Sequence, residues 1–212
     1  MYRQSRLLLE FEGTRKLMRP DGELNPPRLI SRDLAVDMTI VGMPPQPSTE
    51  EIVPATTDDL PEIAALADVV WREAYPGIIS SEQIEYMLAC MYDLGEMRCQ
   101  MAKGTVFLRL LDAGGLIGFA AHSPTVSQTE RKLDKLYLHP DHQRHGHGSR
   151  LLGRVMDAAR ALGCTSLMLT VNKRNPKAIA AYERNGFTIR DSVIADIGGG
   201  FVMDDFVMVR AL

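Results

Sequence analysis

The chain has 212 residues, 45% of them hydrophobic and 24% charged. That length accommodates one domain of roughly 150 residues with a substantial core plus an appendage, and excludes two full domains. A net charge of −3 gives no basic face with which to neutralise phosphates, so no nucleic-acid partner is expected, while cationic ligands stay open.

Residues 1 to 50 show no sustained helical or alternating pattern. Pro26, Pro27, Pro44, Pro45 and Pro47 interrupt helices and ladders alike, so this stretch reads as a weakly ordered N-terminal extension. Met38 and Met43 also allow a later translation start. The run Leu7 to Leu9 is cut short by Glu10 and Glu12, too soon for a signal core or a membrane span, and no membrane association is expected. Cys90, Cys99 and Cys164 are scattered with no CxxC pair, which fits a reducing, cytoplasmic setting.

The regular domain, residues 51 to 212, opens with a short strand at Ile52 to Ala55. Thr57 or Asp58 then caps a helix reaching about Glu73, with Leu60, Ile63, Ala64, Ala67 and Val70 at helical spacing. A second helix starts near Ser80, whose hydroxyl forms a capping box with Gln83, and ends before Gly104. Thr105 to Leu111 and Leu116 to Ala121 read as a hairpin around Asp112 to Gly115, and Leu133 to His139 as another strand. A helix from Ser149 to Leu162 and a strand from Ser166 to Val171 follow. Pro176 opens a helix that runs to Arg184, stopped by Asn185 and Gly186. Phe187 to Ile197 and Phe201 to Val209 form a last antiparallel hairpin. The expected class is α/β with a mixed, mostly antiparallel sheet.

The stretch LYLHPDHQRHGHGSRLL carries the chemistry, because a strand enters a glycine-containing loop directly before an amphipathic helix. Backbone N–H groups around Gly146 and Gly148 can converge on an anion there, helped by the orphan donors and positive dipole end of the helix. A Walker loop is excluded, since Ser149 and Arg150 follow Gly148 in place of lysine and Ser or Thr. A dinucleotide fingerprint is disfavoured by Leu151 where glycine or alanine belongs.

Gln143, Gly146 and Gly148, the preceding strand LYLHP and the later run NKRNPKAIAAYERNGF together resemble the GNAT superfamily of acyl-CoA N-acyltransferases. The resemblance covers about residues 52 to 210. It implies the GNAT fold, with strands splayed at the coenzyme site, and acetyl-CoA as acetyl-donor co-substrate. It further implies that the loop Gln143, Arg144, His145, Gly146, His147, Gly148 and Ser149 holds the pyrophosphate. Backbone of Leu136, Tyr137 and Leu138 would bind pantetheine and polarise the thioester carbonyl. Asn175 and Ala178 would contact coenzyme, and Tyr182 would protonate the departing thiol. Asn175 can equally cap its helix.

An alkylamine is mostly protonated at neutral pH, so transfer to it requires a base or a water path. Asp134 is the candidate, on the face shared with Leu136 if alternation holds, with a solvated strand carboxylate as the alternative. The segment WREAYPGIISSEQIEYML resembles GNAT members that act on small amines or polyamines, which makes Trp71 and Tyr75 candidate acceptor walls; packing the helix against its loop is an equal reading. The resemblance implies N-acetylation of a small-molecule primary amine such as a polyamine, by direct attack in a ternary complex. The alternatives are a protein N-terminus or lysine, or a non-catalytic acetyl-CoA-binding regulator. A homodimer through the C-terminal hairpin requires an exposed edge.

His139, His142, His145 and His147 cluster without completing a ligand set, and no metal is expected. Asp204 and Asp205, as strand neighbours, point to opposite faces and read as surface groups; Arg131, Lys132 and Lys135 read as a solvated edge.

Overall fold

The computed structural model describes residues 50–212; the expected N-terminal extension lies outside them apart from Glu50. Seven strands form one sheet in the order β1-β2-β3-β4-β5-β7-β6. These are β1 (Glu51–Pro54), β2 (Val106–Asp112), β3 (Gly115–Pro124), β4 (Glu130–Leu138), β5 (Ser166–Asn172), β6 (Thr188–Gly198) and β7 (Phe201–Ala211). Only β4 and β5 run parallel, joined by the helix α4 (His147–Ala161). The other helices are α1 (Leu60–Ala74), α2 (Ser81–Met91), α3 (Leu94–Ala102) and α5 (Pro176–Arg184).

Two cores sandwich the sheet. On one face α1, α2 and α3 bury Leu60, Ile63, Trp71, Met87 and Met97 against Phe107 and Phe119. On the other, α4 lays Leu151, Leu152 and Val155 on Leu133, Leu167 and Leu169. Each such side chain taken fully out of water contributes about 1.5–3 kcal/mol, and the split explains why both sheet faces are apolar at their centres.

The long second helix expected between Ser80 and Gly104 is instead two. Tyr92 buries its ring against Trp71 and Phe119, and Asp93 caps a new start by accepting a hydrogen bond from the Glu96 N–H at 2.9 Å. The expected capping box is also only half formed. The Ser80 hydroxyl accepts from the Gln83 N–H at 3.2 Å, but the Gln83 side chain donates to the Val202 carbonyl at 3.0 Å and so ties α2 to β7. Elsewhere the elements fall within a few residues of expectation, and α5 spans Pro176–Arg184 as its sequence punctuation indicates.

Two features of β4 position the site. Its pairing with β5 covers only Glu130–Leu133 against Ser166–Leu169, while β4 continues to Leu138 and β5 to Asn172, so the two strands part. Its pairing with β3 slips between Ala121↔Lys135 and His122↔Leu133, which leaves Asp134 as the extra residue of a bulge. Gly118 sits opposite Leu138, where an added Cβ would meet the Leu138 side chain at 2.5 Å and the Tyr137 carbonyl at 3.0 Å; only glycine lets β3 close on this end of β4. No helix among the described residues is long and apolar enough to cross a membrane.

Candidate active site

The anion loop lies between the end of β4 and the start of α4. Gly146 caps α4 with φ of 84°, a left-handed conformation that suits glycine, and nothing lies within 4 Å of where its Cβ would be. Arg144 also has positive φ, at 67°. Gln143 N–H bonds to the Pro140 carbonyl and Arg150 N–H to Gly146, but the N–H groups of residues 144 to 149 find no acceptor among the described residues. Six consecutive donors without an acceptor among the described residues, at a helix N-terminus, are an arrangement that can receive a pyrophosphate-like anion.

The histidines of this loop differ in role. His147 is 6% exposed, and its Nδ1 lies 3.3 Å from the Glu50 carboxylate, which also pairs with Arg150. Burial, reinforced by His145 and His142, lowers its pKa. His145 stays exposed. Gln143 Nε2 reaches the Leu138 carbonyl at 3.5 Å and links the loop to the strand.

On β4, Leu136 and Leu138 pack with the α4 core and Tyr137 with the opposite one. What all three present to the gap beside β5 is backbone. Asn175 caps α5, its Oδ1 accepting from the Ala178 N–H at 3.1 Å, and Ala178 packs against the α4 core.

Tyr182 lies on α5, partly exposed, with its ring edge-on to Phe187 at 5.7 Å. Burial, then the neighbouring Tyr75, raises its pKa, so the phenol stays protonated at all working pH values. Tyr75 Oη lies 3.2 Å from Tyr137 Oη, and burial raises both of their pKa values as well. Three tyrosines, from the C-cap of α1, from β4 and from α5, thus gather where β4 and β5 part. Trp71 stacks on Tyr75 at 4.2 Å and donates its Nε1–H to Tyr92 Oη at 3.3 Å. At 1% exposure Trp71 is a core residue, and its ring reaches a ligand only through Tyr75.

The bulge changes the expected placement of Asp134. Alternation would pair its direction with Leu136, but Leu136 packs with the α4 core, whereas Asp134 and Lys135 together line a cleft of about 330 Å³ beside α2 and α3. Asp134 Oδ1 lies 3.6 Å from Lys132 Nζ, and its buried Oδ2 has no hydrogen-bond partner.

Two readings of polar residues as surface groups are corrected. Asp205 is 8% exposed, paired across the sheet with Asn172, with Oδ1 unpartnered and a pKa raised chiefly by burial. Asp204 does lie at the surface, bonded to Lys173. Arg131 and Lys135 are likewise buried and not a solvated edge. Strand alternation correctly separated the two aspartates but could not tell which face was covered.

The chain matches the sequence profile of the Acetyltransferase (GNAT) family over residues 64–187, and it belongs to that family. It is 26% identical over 159 residues to a spermidine N(1)-acetyltransferase of Thermoplasma acidophilum, covering 73% of this chain and 95% of that protein. An uncharacterized N-acetyltransferase of Bacillus subtilis is 31% identical over 137 residues, 63% of this chain and 86% of that one. Among solved structures, a PaiA N-acetyltransferase from Thermoplasma acidophilum in complex with coenzyme A superposes with a TM-score of 0.66 at 24% identity, over 77% of this chain and 99% of that one. The fold is therefore the GNAT fold, and the protein is an acyltransferase with acetyl-CoA as co-substrate. The free donors of residues 144 to 149 and the one-sided end of β4 suit a pyrophosphate followed by an amide-bearing arm.

Proposed function

We propose that residues 51–212 form an N-acetyltransferase domain that moves the acetyl group of acetyl-CoA onto the primary amine of a small molecule, by direct attack in a ternary complex. One observation supports this most: β4 loses its β5 partner after Leu133, and the opening has the anion cradle at one end and a polar cleft beside it. A cleft of about 330 Å³ suits a metabolite-sized acceptor, at the lower end of small-ligand pockets. The spermidine-acetylating relative makes polyamines natural members of a first panel.

Acetyl-CoA supplies an electrophilic thioester carbonyl. In this reading, residues 144 to 149 with Gln143 anchor its pyrophosphate, and backbone at Leu138, beside Leu136 and Tyr137, receives the developing oxyanion. Asp134 accepts the proton of the attacking amine or orients it. The Tyr182 phenol, which has no hydrogen-bond partner among the described residues, donates to the departing sulfur. Asn175 and Ala178 shape the α5 side of the coenzyme site, and Tyr75, backed by Trp71, walls the acceptor side. The free thiols Cys90, Cys99 and Cys164 accord with a cytoplasmic setting, and the exposed β6 edge, with Ile194 70% exposed, is the surface a homodimer would use.

The test is thiol release from acetyl-CoA against polyamines, amino acids, aminoglycosides and short lysine or N-terminal peptides, with coenzyme binding followed in parallel. Release that depends on a small amine is expected. Release only with peptides moves the acceptor to protein, binding without release marks a regulator, and absence of binding overturns the site.

A further inference from the structure

The cleft beside the bulge has a charge pattern that the general transferase reading does not use. Its lining includes Lys132, Asp134 and Lys135 from β4, Gln100 from α3, Thr105 and Ser123. Lys135 is only 4% exposed, yet no carboxylate of the described residues lies within ion-pair distance of it. Its Nζ is 3.3 Å from Gln100 Oε1 and sits 5.5 Å and 5.7 Å from the ring centroids of Phe107 and Tyr92. One amide oxygen and two ring faces compensate a buried ammonium only in part. Lys132 is more open, and its ion-pair partner among the described residues is Asp134.

We infer that the acceptor is a zwitterionic amine, whose carboxylate or phosphate is held by Lys132 and Lys135 while its amino group lies at Asp134. The inference rests on the acetyl-transfer reading and narrows it. Within the lining two ammonium groups meet one carboxylate, Asp205 and Glu96 acting on Lys132 and Lys135 from outside it, so an anionic group entering the cleft improves the charge balance. A polyamine does the opposite. Once one amine is deprotonated for attack, its remaining ammonium groups lie among like charges, and a single Asp134 serves both them and the nucleophile. The β4 bulge is what creates the juxtaposition, because regular alternation would send Asp134 and Lys135 to opposite sides of the sheet.

The experiment compares kcat/KM for β-alanine and 4-aminobutyrate against putrescine and spermidine, and for phosphoethanolamine against ethanolamine. The acid-bearing member of each set is expected to be at least tenfold better, and the carboxylate and phosphate arms show which anion fits. Lys132→Gln, at a position open enough not to threaten folding, is expected to raise KM for acid-bearing amines at least fivefold while kcat holds. Lys132→Glu is expected to shift preference toward putrescine by more than tenfold. Lys135→Gln is read beside its melting temperature and coenzyme affinity, so that misfolding is recognised. Faster turnover of putrescine or spermidine by the unaltered protein overturns the inference and leaves the transferase reading intact. Indifference of KM to Lys132→Gln and Lys132→Glu also overturns it. Coenzyme binding with no amine acetylated removes the transferase reading and this one with it.

Discussion

The two halves of β4 are one strand with two occupations. From Arg131 to Leu133 it is paired on both edges, and Arg131 is clamped, donating from Nε to His122 Nδ1 and from Nη2 to the Gly104 carbonyl, both at 2.9 Å. From Asp134 to Leu138 it is paired on the β3 side alone, and the tyrosine cluster, the bulge and the anion loop all gather around this half. Backbone groups are obligatory hydrogen-bonding groups, so a strand edge left open inside a fold is a binding surface by default. The comparison gives a rule. Changes around the open half should alter turnover or coenzyme affinity with little loss of stability, and changes in the closed half should do the reverse.

The largest effect belongs to Tyr182→Phe. Removing the phenol leaves the ring on Phe187 and takes away only the donor to sulfur, so kcat should fall about 10²- to 10³-fold while coenzyme affinity and melting temperature hold. A kcat within threefold of the parent, across pH, would remove Tyr182 from the chemistry. Next comes Gly146→Val. A β-branched residue at φ of 84° is strained by about 1–3 kcal/mol and disturbs the line of free N–H donors, so coenzyme affinity should drop roughly 10- to 100-fold. Titration of coenzyme A into the variant reads this directly, and an unchanged Kd would show that the cradle is not the anchor.

The closed half is probed through His122. Its ring is 1% exposed, and burial together with Arg131 lowers its pKa to about 4, against about 6.5 in an unfolded chain. The unfolded state therefore takes up a proton first as pH falls. Stability from this residue is fully present above about pH 6.5 and is lost progressively down to about pH 4, with about 2 kcal/mol gone by pH 5. His122→Asn keeps an acceptor near the Nδ1 position and cannot titrate, so chemical denaturation at pH 7 and pH 5 should show a smaller acid loss in the variant. Equal losses in the two proteins would place the acid sensitivity elsewhere, and a large fall in kcat at neutral pH would break the division between the halves.

This division also marks what was legible beforehand. The coenzyme side is made from backbone and from local punctuation: Pro176 and Asn185-Gly186 bracket α5, and Gly146 marks the loop before α4. Such features depend on neighbours in sequence, so the α/β class, the hairpins and the loop could be read directly. The acceptor side is made from contacts between distant elements. The break at Tyr92 and Asp93 carries only a short local signal, Asp93 followed by Gly95 and Glu96; what fixes it is the burial of Tyr92 against Trp71, contributed by another helix. The bulge at Asp134 exists only relative to the register of β3, and Trp71 and Tyr75, both candidate acceptor walls by sequence, part company once 1% exposure puts Trp71 in the core. Asp205 was missed for the same reason, since its surroundings, Asn172 on β5 and Tyr75 after α1, come from elements distant in sequence.

The smallest effect sharpens the comparison at its boundary, where two carboxylates compete for one role. Asp134 lines the cleft with one buried oxygen unpartnered, and Asp205 has an unpartnered Oδ1 close enough to Tyr75 to influence its titration. Both satisfy the demand that a base be poorly compensated in the resting protein, but only Asp134 lies on the open half of β4. Asp134→Asn should lower kcat/KM about tenfold at neutral pH, less than the usual 10²- to 10⁴-fold general-base contribution because water can substitute in an open cleft. Asp205→Asn should stay within threefold and, by neutralising a carboxyl whose burial is already costly, should leave stability unchanged or raised. The reverse ranking would move the base from the bulge to β7, and would mean that the amine approaches from the Tyr75 side, across the gap instead of along the cleft.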